Sequence, residues 1–284
     1  MLESHKRGVI MKVLVTGANG MLGQDLCPIL EDNGFEVIET NHTDLDITNE
    51  LMIQRVFDEV NPDYVINCAA YTNVDKAETE KELAEKVNAF GTELIAKACA
   101  RQDIPLLYVS TDYVFNGEKQ TPYSTTDTPN PINYYGLTKY QGEEAIKKSC
   151  NKYFITRTSW LYGHHGKNFV ETMISLKDKD VLKVVDDQIG CPTWTVELAT
   201  AITKLLQTEN YGTYHVCGSG STSWYGFAKE IFEYLGLDVN LQPCKTSEFP
   251  RPAKRPRYSV MENNKICRFW KDALHDYLDL RIEE

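Results

Sequence analysis

The sequence has no long apolar run and no excess of positive charge. No stretch approaches the roughly 20 apolar residues that a membrane-spanning helix needs, and residues 1–10 lack the apolar core of a signal peptide. The formal net charge is −11 at pH 7 over 284 residues, which argues against a general nucleic-acid or anionic-membrane binder. We therefore expect no nucleic-acid and no membrane partner. Residues 1–10 are interpreted as a disordered extension or cloning remnant, with Met11 as the native start.

Paired cysteines and metal-ligand clusters are also missing from the sequence. The eight cysteines are scattered, no Cys-x-x-Cys pair exists, and no Cys/His group has zinc spacing. Several cysteines lie in apolar contexts, such as Cys68 in a run of Val, Ile and Ala. They are expected to be reduced, buried thiols, as in a cytoplasmic protein. We expect no metal site.

Hydrophobic residues make up 42% of the chain, enough for a sizeable core. Apolar runs with strand character alternate with segments of helical periodicity, which predicts a Rossmann-type doubly wound parallel sheet in an α/β fold. The predicted strands cover 12–16, 35–39, 63–70, 105–109 and 153–157. The predicted helices cover 22–33, 49–60 (capped by Thr48), 80–101, and a segment that begins near Tyr135.

The strand and helix rhythm loosens after about residue 158. Helices are predicted near 168–177, 195–206 and 224–235, with strands near 181–185 and 213–217, before a proline-rich, basic tail. We expect residues 11–157 to form a dinucleotide-binding domain, with additional strands from the later chain. Residues 158–284 are expected to be mainly a smaller C-terminal substrate-binding lobe.

Three glycines at a spacing of three come directly after the first predicted strand. Gly17 would permit the tight turn, Gly20 would let the backbone approach a pyrophosphate, and Gly23 would let the next helix pack closely. The N-terminus of that helix favours an anion. A glycine-rich turn alone could be only a loop, but its place between a strand and a helix favours dinucleotide binding.

The choice between NADH and NADPH depends on the residues at the end of the second strand. An acidic residue about 20 positions beyond the glycine loop selects NADH through the ribose hydroxyls, and Glu39 is the candidate. No arginine is placed for a 2′-phosphate, so the pattern favours NADH and leaves the use of both cofactors open. Residues 44–47 either run beside the adenine or form a plain turn.

Tyr135 and Lys139 are four residues apart within a predicted helix. That spacing places a phenol and an ammonium on one helix face. A nearby positive charge is expected to lower the tyrosine pKa, so that Tyr135 could exchange a proton with a carbonyl oxygen or an alcohol near neutral pH. On its own the pattern is also typical of an ordinary amphipathic helix.

Several motifs in this order make the chain resemble the extended short-chain dehydrogenase/reductase family. The motifs are residues 16–23 (TGANGMLG), 67–72 (NCAAYT), 87–88 (VN), 110–115 (STDYVF) and 135–139 (YGLTK). The similarity spans nearly all of residues 11–284. Three further segments narrow it to the family's dTDP-sugar ketoreductases: 157–163 (RTSWLYG), 187–193 (DQIGCPT) and 255–259 (RPRYS).

The resemblance implies a role for each matching residue. The implied catalytic residues are Thr111, Tyr135 and Lys139. The implied cofactor-binding residues, besides Tyr135 and Lys139, are Gly17, Asn19, Gly20, Met21, Leu22, Gly23, Asp46, Ile47, Ala69, Ala70, Tyr71, Asn88 and Ser110. The implied substrate-binding residues are Thr72, Val74, Thr111, Asp112, Tyr113, Trp160 and Arg255.

The resemblance also implies the reaction. Dehydratases of the family carry Asp-Glu after the threonine, whereas Tyr113 follows Asp112 here, so simple ketone reduction with NADPH or NADH is implied. The substrate would be a dTDP-linked 4-keto-6-deoxyhexose and the product dTDP-L-rhamnose, made by a monomer or homodimer. A ketoreductase or epimerase for another nucleotide sugar, and a non-catalytic NAD(P)-binding regulatory subunit, remain alternatives.

Overall fold

The computed structural model describes residues 10–263 and 266–283. The expected extension at residues 1–10 therefore lies, except for Ile10, outside the described residues. The strands are β1 (Lys12–Thr16), β2 (Glu36–Thr40), β3 (Tyr64–Asn67), β4 (Leu106–Thr111), β5 (Tyr153–Thr158), β6 (Leu161–Tyr162), β7 (Leu182–Val185), β8 (Ile189–Gly190), β9 (Thr193–Trp194), β10 (Gly212–His215), β11 (Thr222–Ser223) and β12 (Leu241–Cys244).

Helices connect most of these strands. The helices are α1 (Met21–Asp32), α2 (Glu50–Val60), α3 (Lys81–Glu85), α4 (Thr92–Arg101), α5 (Tyr134–Ser149), α6 (Phe169–Ser175), α7 (Thr195–Leu206), α8 (Trp224–Tyr234) and α9 (Trp270–Glu283). A π-helical segment, Lys86–Gly91, joins α3 to α4 without a break. No helix among the described residues is long and apolar enough to cross a membrane.

The central sheet has six strands in the order β10-β5-β4-β3-β1-β2, and every pairing in it is parallel. Because parallel strands need crossover connections, helices cover both of its faces. Helices α2, α4 and α5 cover one face through residues such as Ile53, Ile95 and Ile146. Helices α1 and α7 cover the other through residues such as Leu26 and Ile202. The predicted Rossmann-type doubly wound sheet is confirmed.

The later half of the chain contributes to two places. Strand β10 pairs with β5, and α7 packs against α1, so both belong to the sheet layers. Helices α6, α8 and α9 enclose a separate apolar cluster that contains Phe227, Leu274 and Tyr277. The division of the chain at residues 157 and 158 stays a prediction.

Some element boundaries differ from those predicted. Asn49, not Thr48, caps α2, because its side chain accepts from the Met52 amide. Thr48 instead donates to Asp46 from its amide and its hydroxyl. Strand β3 ends at Asn67 rather than at residue 70, because its pairing with β1 and β4 stops at Asn67. The tail after residue 235 contains β12 and the long helix α9, which were not predicted.

The π-helical segment changes the face of the predicted helix over residues 80–101. Leu94, Ile95 and Ala98 are buried as expected, but Leu83 is 47% exposed and Phe90 is 46% exposed. A π turn widens the helix by an extra residue and so rotates the side chains on either side of it relative to each other. Apolar residues that follow regular α-helical spacing through this segment therefore do not all lie on one face of the helix.

Candidate active site

A cleft of about 830 Å³ runs along the carboxyl ends of the central strands. Parallel strands place these ends at one edge of the sheet, where ligands bind in open α/β folds. The cleft brings together nearly all the predicted site residues. Those lining it are Gly17, Asn19, Gly20, Met21, Leu22, Gly23, Asp46, Ile47, Ala69, Ala70, Tyr71, Thr72, Val74, Ser110, Thr111, Asp112, Tyr113, Tyr135, Lys139 and Trp160.

The glycine loop forms one end of the cleft. Gly17 has φ +66°, and a Cβ there would lie 2.9 Å from the Ala69 backbone. Gly23 leaves no room for a side chain against the Ala18 carbonyl. Helix α1 starts at Met21 without a side-chain cap from Gly20 and without an acidic residue in its first turn. This uncapped helix start, approached by glycine backbone, fits the pyrophosphate of a dinucleotide.

Asn88 does not line the cleft but holds a loop that does. Its side chain is fully buried in the π-helical segment. Its Oδ1 accepts from the Tyr71 amide at 2.8 Å, and its Nδ2 donates to the Tyr71 carbonyl at 3.0 Å and to Thr138 Oγ1 at 3.0 Å. Asn88 therefore fixes the chain after β3 against α5, and any effect on a cofactor passes through Tyr71.

Lys139 is 2% exposed, and its Nζ donates to the Val109 carbonyl at 2.7 Å. The same Nζ lies 4.0 Å from the centre of the Tyr108 ring. Burial lowers the pKa of Lys139 to about 7, with the Glu143 carboxylate acting in the opposite direction. The backbone carbonyl thus fixes the ammonium at the floor of the cleft, between β4 and α5.

Tyr135 differs from its predicted electrostatics. Burial raises the pKa of its phenol to about 12, while interaction with the Thr111 hydroxyl lowers it and the Asp112 carboxylate raises it. The prediction that Lys139 lowers the pKa of Tyr135 is wrong for this structure. The Lys139 ammonium bonds to the backbone of β4, and burial desolvates the Tyr135 phenol. Tyr135 is accordingly a neutral proton donor at pH 7.

Thr111 and Asp112 lie at the end of β4, next to Tyr135. The Thr111 hydroxyl donates to Asp112 Oδ1 at 3.1 Å and accepts from the Tyr113 amide at 3.2 Å. Asp112 is 2% exposed, and its Oδ2 has no hydrogen-bond partner among the described residues. Burial raises the pKa of the Asp112 carboxyl to about 7. A buried, unpartnered oxygen in a cleft is suited to a ligand hydroxyl.

Arg255 is the one predicted substrate contact that the structure leaves outside the cleft lining. Its guanidinium pairs with Asp75 and donates to the Ala253 carbonyl at 2.7 Å. Arg251 pairs with the same Asp75. Burial would raise the pKa of Asp75, but the hydrogen bonds from these two arginines outweigh it and hold the pKa at about 2. Asp75 thus holds both arginines, and Arg255 remains beside the phenol of Tyr113, which lines the cleft.

Several residues that line the cleft were not predicted. Trp224, from the start of α8, stacks on Trp160 with 3.5 Å between ring centres and 6° between ring planes. Trp160 has φ +47°, a left-handed conformation that bulky side chains rarely adopt. No local sequence pattern indicates such a pair, because its members are 64 positions apart in the chain. Asn41, His42 and Lys86 also line the cleft.

Asp25 is an acidic side chain close to the glycine loop, on helix α1. Its carboxylate accepts from Thr195 and lies 3.5 Å from His165 Nε2. Within residues 10–263 and 266–283, no three His, Cys, Asp or Glu side chains are arranged to hold a metal ion. Asp25 thus joins α1 to α7 here.

A glycine cradle at the first βα turn, together with a Tyr-x-x-x-Lys pair and a threonine at the same sheet edge, defines an NAD(P)-dependent oxidoreductase of the extended short-chain dehydrogenase/reductase type. The comparisons narrow this class. Residues 11–280 match the RmlD substrate binding domain, and the chain belongs to that family. The family resemblance seen in the sequence motifs is thereby confirmed.

Three relatives illustrate the match. The spore coat polysaccharide biosynthesis protein SpsK of Bacillus subtilis is 42% identical over 277 residues, covering 95% of this chain and 98% of that protein. A dTDP-4-dehydrorhamnose reductase structure from Clostridium acetobutylicum is 48% identical, with a TM-score of 0.94 over 96% of this chain and 100% of the other. A dTDP-4-dehydrorhamnose reductase structure from Bacillus anthracis, in complex with NADP, is 43% identical, with a TM-score of 0.93 and the same coverage.

Proposed function

We propose that this chain reduces the ketone of dTDP-4-dehydro-β-L-rhamnose to give dTDP-L-rhamnose, with NADPH or NADH as the reductant. The observation that carries this function is one cleft with a dinucleotide cradle at one end and Thr111, Tyr135 and Lys139 at the other. The named activities of the 43% and 48% identical structures support the sugar substrate. The product serves cell-surface polysaccharide synthesis, which agrees with the name of the B. subtilis relative.

The cofactor's part in the reaction is to supply a hydride to the sugar ketone. The protein's part is to stabilise the negative charge that develops on the ketone oxygen. Tyr135, neutral because burial raises its pKa to about 12, donates a proton to that oxygen. The Thr111 hydroxyl has a single proton, which it donates to Asp112 Oδ1 when no sugar is bound; it would rotate to donate a second hydrogen bond to the ketone oxygen. General acid catalysis of this kind contributes about 10²–10⁴-fold to a rate.

Lys139 is proposed to supply a positive charge at a fixed position beside the cofactor in its protonated form, which predominates below its pKa of about 7. Its bond to the Val109 carbonyl and its burial keep the ammonium in one place. Glu143 supports the charge and is itself held by Ser110 at 2.6 Å and by Arg157 at 2.6 and 2.9 Å. A preorganised charge stabilises a developing anion without reorganisation at the moment of reaction.

The sugar is proposed to lie between the end of β4 and the tryptophans. Asp112 Oδ2 is buried without a partner in the described part of the chain, so a sugar hydroxyl that donates to it would remove an unfavourable desolvation. Tyr113, whose ring meets Tyr135 edge to face at 6.0 Å, and Trp160 supply apolar walls for the ring face. Thr72 and Val74 would close the opposite side.

An absorbance assay tests this function. Oxidation of NADPH or NADH is measured at fixed enzyme concentration with three sugars. They are dTDP-4-dehydro-β-L-rhamnose, dTDP-4-dehydro-6-deoxy-D-glucose and a UDP-linked 4-keto sugar. We expect oxidation with the first substrate and formation of dTDP-L-rhamnose. Preference for another sugar would favour the alternative ketoreductase. No oxidation with any of them, but normal cofactor binding, would favour a regulatory subunit.

We further propose a cytoplasmic enzyme that works as a monomer or homodimer. All eight cysteines are free, and seven of them are buried, which suits a reducing compartment. Separation of cell fractions and detection of the chain in each fraction tests the compartment. Light scattering tests the oligomeric state.

A further inference from the structure

Trp224 is a cleft residue to which no role has yet been given. It is the first residue of α8, in the C-terminal lobe, and it lies against Trp160, which the proposed function places beside the sugar. The later half of the chain therefore reaches the sugar site through this contact. An inference about Trp224 rests on the proposed function and extends it.

The backbone of Trp160 is in a conformation that needs support from its surroundings. Its φ is +47°, in the left-handed region where Cβ crowds the carbonyl oxygen and where large side chains are rare. Such a conformation persists only where neighbouring groups enforce it. Relaxation to a negative φ would turn the side chain in another direction. The indole of Trp160 therefore stays in the cleft wall only while its neighbours hold it there.

The chain around Trp160 is tied to one neighbouring segment, residues 190–193. The Thr193 amide donates to the Trp160 carbonyl at 3.2 Å, and the Ser159 hydroxyl donates to the Cys191 carbonyl at 2.6 Å. Gly190 leaves the space in which the indole lies, because a Cβ at that position would overlap the Trp160 ring. These contacts fix the backbone, but they do not by themselves hold the ring.

Trp224 holds the ring of Trp160. The centres of the two rings are 3.5 Å apart and their planes are inclined by 6°, so the rings overlap face to face. Trp224 is itself fixed, because its Nε1 donates to Gln188 Oε1 at 3.2 Å and Phe169 packs on it with 4.6 Å between ring centres. Ser223, which precedes Trp224, caps α8. Trp224 is thus a rigid surface on which the Trp160 indole rests.

We propose that Trp224 is a positioning residue for the reductase, which holds the Trp160 indole in the cleft wall and thereby strengthens binding of the sugar. An apolar wall meets the sugar in the ground state and in the transition state alike, so it contributes to KM rather than to kcat. Thr111 and Tyr135 belong to β4 and α5, which are parts of the sheet layers. Loss of Trp224 should therefore leave the proton donor in place.

Three substitutions separate this role from general packing in the lobe. Trp224→Leu removes the ring that stacks on Trp160, whereas Trp224→Phe keeps an aromatic ring there and loses the bond to Gln188. Trp270→Leu is the matched control. Trp270 lies in the same buried cluster and meets Phe227 at 5.7 Å between ring centres, but it does not line the cleft. All three variants lose packing in the lobe, and only Trp224→Leu leaves Trp160 without an aromatic partner.

The position of Trp160 is measured by nuclear magnetic resonance without any ligand. The chain has four tryptophans, and Trp160→Phe identifies which indole N–H signal belongs to Trp160. In Trp224→Leu we expect its order parameter to fall from about 0.85 toward 0.6, and its Overhauser contact with the Gly190 α-protons to weaken. Both should persist in Trp270→Leu, and Trp224→Phe should be intermediate. An unchanged order parameter together with an unchanged Gly190 contact in Trp224→Leu overturns the positioning role.

Binding of two nucleotides shows whether the supported wall serves the sugar. The dissociation constants of dTDP-L-rhamnose and dTDP are measured by titration calorimetry, because the two ligands differ only by the sugar. Trp224→Leu should weaken dTDP-L-rhamnose by about three- to tenfold, as expected for loss of an aromatic contact, and leave dTDP unchanged. The KM for the keto sugar should rise by the same factor at unchanged kcat. Equal weakening of both ligands, or a fall in kcat at unchanged KM, overturns the proposal.

Failure of this role and failure of the proposed reductase are separable. The resonance measurements need no ligand and no turnover, so a chain that reduces no dTDP-sugar would still show Trp160 released in Trp224→Leu. Conversely, an active reductase in which Trp160 stays in place in that variant refutes only the positioning role of Trp224.

Discussion

Tyr135 is the side chain on which the proposed proton transfer depends. In Tyr135→Phe the ring can keep its edge-to-face contact with Tyr113, but the hydroxyl is lost. We expect kcat for ketone reduction to fall by at least about 100-fold, because the developing alkoxide loses its general acid. Binding of NADPH, measured by fluorescence titration, should change little, since the glycine cradle is untouched.

The neighbouring tyrosine provides a matched control. The Tyr134 hydroxyl donates to Glu85 at 3.2 Å in an exposed position, and Tyr134 does not line the cleft. Tyr134→Phe removes the same atom one position away and should keep kcat within about twofold, as surface changes usually do. Near-normal turnover in Tyr135→Phe, or an equal loss in both variants, would rule out Tyr135 as the proton donor.

Asp112 should make the stability of the protein depend on pH. Its pKa is raised from 3.8 to about 7 by burial, so between these values the folded state binds a proton that the unfolded state has lost. The folded state is then favoured below pH 4, and this contribution is lost as pH rises through 7. Relative to the unmodified chain, Asp112→Asn should gain a few kcal/mol of unfolding free energy between pH 4 and pH 8.

Urea unfolding at four pH values between 4 and 8 measures this difference. Asp127→Asn is the control of opposite sign. The hydrogen bond from Lys119 holds the pKa of Asp127 below its ordinary value of 3.8, so the stability that this carboxylate contributes is already complete above pH 4. Asp127→Asn should therefore cost a similar amount of stability at all four pH values. If Asp112→Asn shows no gain toward pH 8, the carboxyl is ionised inside the fold and its pKa is not raised by burial.

At single positions, sequence reasoning found which residues share the site but not how their side chains are oriented. Glycine spacing and motif order place Gly17, Thr111 and Tyr135 correctly in one cleft. Counting residues nominated Glu39 as the ribose contact. Strand alternation instead puts Glu39 on the same side of the sheet as Val37, which packs against α1, and its carboxylate lies beside the Cys27 thiol of α1. The protonation of Tyr135 could not be read from a four-residue spacing, because it depends on burial by distant parts of the chain.

Helix α9 is the element that sequence reasoning missed most clearly. Its apolar residues Trp270, Ala273, Leu274, Tyr277 and Leu278 are spaced as on one helix face and are all buried. The helical spacing of the apolar residues was therefore readable in the sequence. It was overlooked because charged residues lie between them and a proline-rich segment precedes the helix. The π-helical segment is different in kind: Asn88 within it bonds to Tyr71 and Thr138, which are 17 and 50 positions away, so no local pattern indicates these contacts.

The contribution of α9 can be measured with two leucines on the same helix. Leu274 is fully buried in the apolar cluster with Phe227 and Tyr277, whereas Leu280 is 48% exposed. Leu274→Ala should lower the unfolding free energy by about 2–5 kcal/mol, because it loses buried apolar contacts and leaves a cavity. Leu280→Ala should change it by less than about 0.5 kcal/mol. Guanidinium unfolding monitored by circular dichroism measures both.

A similar small effect of both leucine substitutions would mean that α9 is only loosely attached to the lobe. Trp224, which lies beside the same cluster and also in the cleft wall, connects this packing to the substrate side. Leu274→Ala is therefore expected to raise the KM for the sugar more than the KM for NADPH.

At the scale of the whole molecule, the alternation of strands and helices was enough to predict the architecture. Each predicted strand of the first half lies in the sheet, because a sheet covered on both faces requires nearly continuous apolar runs. The later chain is harder to read, since its strands β6 to β12 are only two to four residues long and all of them except β10 pair in three small separate sheets. Such short strands carry too little periodicity to be recognised.

The way the two halves of the chain share one core predicts a single unfolding transition. Val13, Leu26 and Leu107 from the first half lie in the same buried cluster as Ile202 and Val216 from the second. Removing the later residues would uncover α1 and leave β5 as an edge strand, so the predicted domain of residues 11–157 should not be stable by itself. Scanning calorimetry should then show one peak whose calorimetric and van't Hoff enthalpies agree.

Saturating NADPH should raise the midpoint of this single peak without splitting it, because a ligand that binds only the folded state stabilises the whole cooperative unit. The C-terminal lobe, which carries Trp160 and Trp224 into the cleft wall, would then melt together with the sheet. Two resolved peaks, of which NADPH moves only one, would show that the lobe around α8 and α9 folds independently. Its contacts with the sheet would then be too weak to hold the tryptophans rigidly beside the Tyr135 hydroxyl.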